Sequence, residues 1–150
     1  MTSKRNLQRY GLLYLSMALF AVCLANDGYY ISGASPRAWS PAWGLLLVGW
    51  IGILSGGAAW LANPVLFLAW FMFYSGRYWR AALLALIAAA LILSFLSVKM
   101  VIASEATTYA KVIGYGPGYW LWLASALVLL IGSILQALFA AKAKALSQGA

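Results

Sequence analysis

Few side chains in this 150-residue sequence are suited to acid–base or metal chemistry. The only acidic residues are Asp27 and Glu105, the only cysteine is Cys23, and the sequence contains no histidine. A histidine general base, a histidine-ligated zinc or haem, an internal disulfide and a multi-carboxylate metal site are therefore excluded. We expect no catalytic, cofactor-binding or metal-binding residue, and we expect that the protein is not an enzyme.

Asn63-Pro64 is the first candidate for a functional position, because it interrupts a long apolar run. Proline removes one backbone hydrogen bond from a helix and clashes with the preceding turn. A membrane helix broken at a polar residue exposes carbonyl groups that can line a path for a ligand or an ion. A purely structural kink explains the same two residues, and it is the interpretation we prefer.

A group of glycines just before this pair is a candidate for helix packing. Gly52 and Gly56 have the Gly-x-x-x-Gly spacing that lets two helix backbones approach closely. We expect this face to pack within the monomer, and a homodimer contact is the alternative. The glycines concerned are Gly49, Gly52, Gly56 and Gly57, and the predicted matching small residues on the third helix are Ala81, Ala85 and Ala89.

Charged residues in the predicted loops are candidates for external contact with a partner. They are Asp27, Arg37, Glu105 and Lys111. Asp27 lies in a predicted turn, Asn26-Asp27-Gly28, where it could pair with Arg37 or Lys111. Because an exposed ion pair contributes only about 0–1 kcal/mol, these residues indicate a contact surface rather than a source of stability.

The composition identifies the elements that must position these residues. Hydrophobic residues make up 65% of the chain and charged residues 8%, whereas roughly a quarter of residues are charged in soluble domains. The sequence predicts an all-α polytopic membrane protein, a single domain built as a bundle of four transmembrane helices. The predicted spans are about 10–25, 41–74, 79–102 and 119–141.

The second run is too long for one simple crossing. As a single helix it would measure about 51 Å, against about 30 Å of hydrocarbon. We therefore expect it to tilt, to protrude or to break, with a kink at Asn63-Pro64. Splitting it there into two crossings gives five spans, but the second crossing would be too short to span the bilayer.

Basic residues predict the orientation of the four spans. With the N-terminus inside, seven basic residues lie on the cytoplasmic side and three outside. The cytoplasmic set is Lys4, Arg5, Arg9, Arg77, Arg80, Lys142 and Lys144, and the external set is Arg37, Lys99 and Lys111. We expect the bacterial cytoplasmic (inner) membrane, with both termini cytoplasmic.

Two functions fit these expectations. The first is a non-enzymatic accessory or immunity-type interaction subunit of a larger inner-membrane system, in contact with lipid and with another membrane protein or itself. The alternative is a small oligomeric transporter or channel whose path is lined by the Asn63-Pro64 break. Nucleic acid is not an expected partner, because attraction to anionic lipid headgroups, about 1 kcal/mol per residue, explains the basic residues at the membrane ends.

Overall fold

The computed structural model describes residues 2–32, 41–55, 57–102 and 109–148, and most of these residues are helical, as the sequence predicts. The α-helices of this part of the chain are α1 (Thr2–Leu24), α2 (Ala42–Val48), α3 (Ala62–Tyr74), α4 (Tyr78–Ser94) and α5 (Pro117–Gln148). Short 3-10 helices cover Gly49–Ser55, Ala58–Leu61 and Phe95–Ser97. Three strands, β1 (Tyr29–Ile31), β2 (Met100–Ile102) and β3 (Tyr109–Tyr115), are additional to the predicted all-α fold.

Contacts between elements define two ends of the molecule. The basic end holds Arg77, Arg80, Lys142 and Lys144, and the sheet end holds β1, β2 and β3. At the basic end, Tyr10 of α1 lies beside Phe73 of α3, with ring centroids 6.5 Å apart, and Phe73 lies 5.2 Å from Tyr78 of α4. At the sheet end, Ala42 N–H donates a hydrogen bond of 2.9 Å to the Asn26 carbonyl after α1. The chain therefore passes between the two ends along α1, back along α3, and again along α4 and α5.

The helices pack through residues three and four positions apart. On α1 the buried positions are Leu13, Ser16, Phe20 and Cys23, and on α4 they include Ala81, Ala85, Ala88, Ala89 and Ile92. Such spacing keeps one stripe of each helix against its neighbours. The alanines predicted as a small face on the third helix are thus buried, and α4 packs against α3, α5 and Ala58–Leu61.

The outer surface of the bundle is apolar. Large side chains such as Phe71 on α3 (61% exposed), Leu83 on α4 (59%) and Ile131 on α5 (55%) point away from the core. Two helices, Tyr78–Ser97 and Pro117–Gln148, are long and apolar enough to cross a membrane. Tyr10–Leu24 and Ala58–Tyr74 are shorter apolar helices.

The second apolar run is interrupted earlier than the sequence predicts. The irregular stretch covers the 3-10 helices between Gly49 and Leu61, and Asn63 and Pro64 lie in the first turn of α3, after its N-cap Leu61. Proline fits there because the first turn of a helix has no intrahelical partner for its N–H groups. The regular helix cannot extend back through Trp60, whose carbonyl would need the N–H that Pro64 lacks.

This interruption removes the length problem of the second run. Trp60 Nε1 donates a hydrogen bond of 2.9 Å to the Leu46 carbonyl, so Ala58–Leu61 lies back beside α2 rather than continuing it. The part that runs on to the basic end is Ala58–Tyr74. Its length is about 28 Å, from about 2.0 Å per residue in the 3-10 turn and about 1.5 Å in α3.

Helix α5 extends beyond the others at the basic end. Its 32 residues correspond to about 48 Å, more than the thickness of a bilayer's hydrocarbon. From Leu138 to its last residue, every side chain of α5 is exposed. Lys142 and Lys144 belong to this projecting part.

Candidate interaction site

The sheet at the sheet end is antiparallel, with strand order β1-β3-β2. Its register pairs Tyr29 with Tyr115 and Met100 with Lys111, and a bulge lies between Tyr30 and Ile31. Burial alternates along β3: Tyr109, Lys111 and Ile113 are exposed, Ala110 is buried and Val112 is half-buried, as in a pleated sheet that is covered on one face. The β-branched and aromatic residues of β3 favour a strand, but the strands are short and the flanking apolar runs favour helix.

An aromatic cluster joins the sheet to the helices. Phe95, just after α4, lies 5.1 Å from Tyr29, 6.0 Å from Tyr115 and 6.2 Å from Tyr119, measured between ring centroids. The Tyr119 hydroxyl donates to the Ile92 carbonyl (3.0 Å), and the Tyr115 hydroxyl donates to the Leu96 carbonyl (3.3 Å). The Ile92 carbonyl also accepts the N–H of the C-cap residue Phe95, so Tyr119 is its second donor, whereas Tyr115 bonds to a carbonyl of the 3-10 helix that follows α4.

Burial of Tyr29 has an electrostatic consequence at this cluster. Removal of its phenol from water raises the pKa of Tyr29 above its ordinary value, because the charged form loses solvation. The ring packs against Phe95 in this cluster. The contribution of the neutral phenol to stability is full below the unfolded-state pKa and declines as the pH rises through the folded-state pKa.

Gly116, just before α5, and Gly118, in its first turn, let the start of α5 pack against the turn after α1. Gly118 N–H donates to the Asp27 carbonyl (2.8 Å), and Gly116 N–H donates to the Gly28 carbonyl (2.9 Å). A β-carbon added at Gly116 would lie 2.2 Å from the Asp27 carbonyl oxygen, and one added at Gly118 would lie 2.7 Å from it. Both positions therefore require glycine, and together they fix the sheet on the bundle.

The sheet presents an exposed face that is largely apolar. Along β3, Tyr109 and Ile113 are 57% and 64% exposed, whereas Ala110 between them is 7% exposed. Met100, which pairs with the exposed Lys111, is 59% exposed. We call these four residues, Met100, Tyr109, Lys111 and Ile113, the outer face of the sheet.

The structure places two of the four predicted external contacts at this end of the molecule. Lys111 belongs to the outer face, and its backbone pairs with Ser32, whose N–H donates to the Lys111 carbonyl (2.9 Å). Asp27 lies at the junction with α5, where its carbonyl accepts the Gly118 N–H. Arg37 and Glu105 lie outside the described residues.

The predicted packing glycines do not form one face of a regular helix. Gly49 is the C-cap of α2, and a β-carbon there would lie 2.6 Å from Trp60 Cδ1. Gly52 lies in the 3-10 helix Gly49–Ser55, and Gly57 is extended, with φ −92° and ψ 96°. Gly56 lies outside the described residues.

The close helix–helix contact made by a glycine is elsewhere, at Gly132 on α5. A β-carbon at Gly132 would lie 2.8 Å from Leu12 Cβ on α1. Sequence reasoning missed this position, because Gly132 has no glycine partner at the Gly-x-x-x-Gly spacing. Its only signal was a small residue, next to Ser133, inside a long apolar helix.

One group of polar side chains inside the bundle is hydrogen-bonded, whereas Trp122 Nε1 and Ser133 Oγ are buried without a hydrogen-bond partner among the described residues. Ser16 on α1 is fully buried, donates to the Ser125 carbonyl on α5 (2.8 Å) and accepts from Trp70 Nε1 on α3 (2.9 Å). Asn63, the predicted lining residue, is 6% exposed. Within the described ranges no cluster of three or more histidine, cysteine or acidic residues could hold a metal ion.

Comparisons with family models, curated proteins and solved structures give no match to this chain. The chemistry of the described residues is therefore the basis for a functional assignment. The sheet end combines a rigid attachment with an exposed apolar and basic surface. Exposed apolar surface of this kind is typical of contact surfaces.

Proposed function

We propose that the chain is a four-span, non-enzymatic membrane protein that acts as an accessory or immunity-type subunit of a larger inner-membrane system. The observation that carries this proposal is the outer face of the sheet, where apolar side chains are exposed outside the helical bundle. Its functional partner is a second membrane protein that contacts this face.

The apolar exterior supports the membrane part of the proposal. Monomeric soluble proteins rarely expose contiguous apolar patches larger than a few hundred Å². Here α3, α4 and α5 each expose large aliphatic or aromatic side chains, such as Phe71, Leu86 and Phe139. Serines, in contrast, are fully buried at Ser16, Ser125 and Ser133. This distribution is stable when lipid replaces water around the bundle.

The location of the charges supports the orientation. Arg77, Arg80, Lys142 and Lys144 belong to the basic end, whereas Lys99, Lys111 and Asp27 belong to the sheet end. Lys4, Arg5 and Arg9 lie in the first turns of α1, which also begins at the basic end. We therefore propose that the basic end and both termini are cytoplasmic, and that the sheet is external.

The sheet face supports the interaction part of the proposal. Lipid covers exposed apolar residues along the helices, but residues on an external sheet face water unless a partner covers them. Met100, Tyr109 and Ile113 are each more than half exposed. Lys111 beside them favours a partner segment that combines apolar and acidic side chains.

The test is purification of tagged protein from native membranes in mild detergent. Ile113→Glu places a charge on the outer face, and Leu146→Glu, at a residue 69% exposed near the end of α5, is the matched control. We expect a defined partner to copurify with the wild type and with Leu146→Glu, and to be lost with Ile113→Glu. Recovery of a lone monomer, or equal capture by all three proteins, would falsify the proposal. Capture of a second copy of the chain, carrying a different tag, would show that the partner is the chain itself.

A further inference from the structure

A groove at the basic end lies between the start of α4 and the projecting part of α5. Its volume is about 670 Å³. Arg77 and Arg80 line it from the α4 side, Lys144 lines it from α5, and Ala137 and Ala140 contribute small side chains. Among the described residues that line the groove, none is acidic. We infer that this groove binds the phosphate group of an anionic phospholipid.

The turn between α3 and α4 brings the two arginines to the groove. Gly76 has a φ of 75°, in the left-handed region that favours glycine. Its N–H donates to the Phe73 carbonyl (3.0 Å), and the Arg77 N–H donates to the Met72 carbonyl (2.9 Å). This pattern is a Schellman motif, which ends α3 and starts α4 within three residues. Arg77 and Arg80 are therefore held close together at the start of α4.

The charges of the groove favour an anion. Three cationic side chains from two separate elements share one space, so an anion between them relieves their mutual repulsion. Guanidinium groups bind phosphate oxygens through two parallel hydrogen bonds, and the ammonium of Lys144 adds a point charge. The nearest competing acid among the described residues is Asp27, which lies at the opposite end of the molecule.

The surroundings of the groove favour a lipid as the source of that phosphate. On the bundle side of the groove, Leu83 on α4 is 59% exposed and Leu135 on α5 is 41% exposed, so both helices present apolar side chains next to it. Acyl chains can lie along these surfaces while the headgroup contacts the cations. Trp79, 61% exposed at the groove, is a residue type enriched at membrane interfaces.

The experiment compares the full-length protein with two double variants in nonionic detergent. Arg80→Gln/Lys144→Gln removes two charges from the groove, and Lys99→Gln/Lys111→Gln removes two charges from the sheet end. Native mass spectrometry and thermal unfolding are followed as phosphatidylglycerol, phosphatidylcholine with the same acyl chains, or inorganic phosphate is added. Circular dichroism checks that each variant is folded.

We expect the wild type and the sheet-end variant to retain one phosphatidylglycerol and to be stabilised by it, with little effect of phosphatidylcholine. The groove variant should bind roughly tenfold or more weakly, because each basic residue contributes about 1 kcal/mol to such binding. Equal losses in both double variants would mean general attraction to charge and overturn the site. Equal stabilisation by inorganic phosphate alone would overturn the lipid as ligand. If Arg80→Gln/Lys144→Gln is unfolded, the single variant Arg80→Gln replaces it, and the same outcomes support or overturn the site.

Discussion

At the scale of single residues, Ser16 is a buried polar side chain that joins three helices. Its hydroxyl lies between α1, α3 and α5, where it donates to the Ser125 carbonyl and accepts from Trp70 Nε1. The Ser125 hydroxyl lies 3.2 Å away and completes the group. Because these groups have no water to bond to in a membrane, their mutual hydrogen bonds select one arrangement of the three helices.

We predict that Ser16→Ala lowers the free energy of unfolding by about 1–2 kcal/mol, since it leaves the Trp70 indole N–H without its acceptor. The measurement is reversible unfolding in mixed micelles of mild detergent and sodium dodecyl sulfate, followed by circular dichroism.

Ser133→Ala is the matched control for this variant. Ser133 is as completely buried as Ser16, but its hydroxyl has no hydrogen-bond partner among the described residues. Its replacement should leave stability unchanged or raise it slightly. Equal effects of the two substitutions would show that serine volume, rather than the hydrogen bonds of Ser16, stabilises the bundle.

At the scale of elements, glycine positions show how far the sequence predicts helix contacts. The Gly52–Gly56 spacing predicts a close helix pair, yet Gly52 lies in a 3-10 helix and the tight contact is at Gly132. A motif reports only that a close approach is possible in a regular helix. Whether the helix is regular depends on Pro64 and on the Trp60 indole, which bonds back to Leu46.

We predict that Gly132→Ala destabilises the protein by about 1–3 kcal/mol, the cost of overpacking a filled contact. The new methyl group must displace Leu12, whose Cβ would be 2.8 Å away, and so separate α1 from α5. The same unfolding assay measures the effect.

Gly11→Ala, one residue before Leu12 on α1, provides the comparison. A β-carbon at Gly11 meets nothing within 4 Å, so the change should raise stability by up to about 1 kcal/mol through higher helix propensity. Destabilisation by Gly11→Ala, or none by Gly132→Ala, would contradict the assignment of the α1–α5 contact to Gly132.

The three strands of the sheet are the elements that the sequence did not predict. Val112, Ile113 and Tyr115 favour a strand, but β1 and β2 have only three residues each and no clear pattern of their own. The pairing of β1 with β3 lies beside the contact of Gly116 and Gly118 with the turn at residues 26–28, and it joins segments about 90 residues apart in sequence. Propensity within one segment does not contain that information.

At the scale of the whole molecule, the distribution of charge was the most predictable property. Apolar runs and basic residues predict which segments share a side of the membrane. In the structure the start of α1, the turn after Tyr74 and the end of α5 lie at one end, and Asp27, Lys99 and Lys111 lie at the other. This grouping requires only that helices of similar length alternate in direction, so it does not depend on where the second run is interrupted.

The proposed topology predicts which of three introduced cysteines a membrane-impermeant maleimide reaches in intact cells that produce the chain in excess of any partner, so that the outer face of the sheet is uncovered. In a Cys23→Ala background, Lys111→Cys should react from outside, whereas Arg77→Cys and Lys142→Cys should react only after permeabilisation. Cys23 is replaced because it is the only native thiol, although it is buried at 4% exposure.

A five-span topology with the same N-terminal orientation gives the opposite labelling: Arg77→Cys and Lys142→Cys would react from outside, and Lys111→Cys only from inside. Reaction of all three cysteines from the same side of the membrane would contradict any topology in which the basic end and the sheet end lie on opposite sides of the bilayer. Labelling of Lys111→Cys alone would place the outer face of the sheet where an external partner can reach it, and the groove of Arg80 and Lys144 beside the cytoplasmic leaflet.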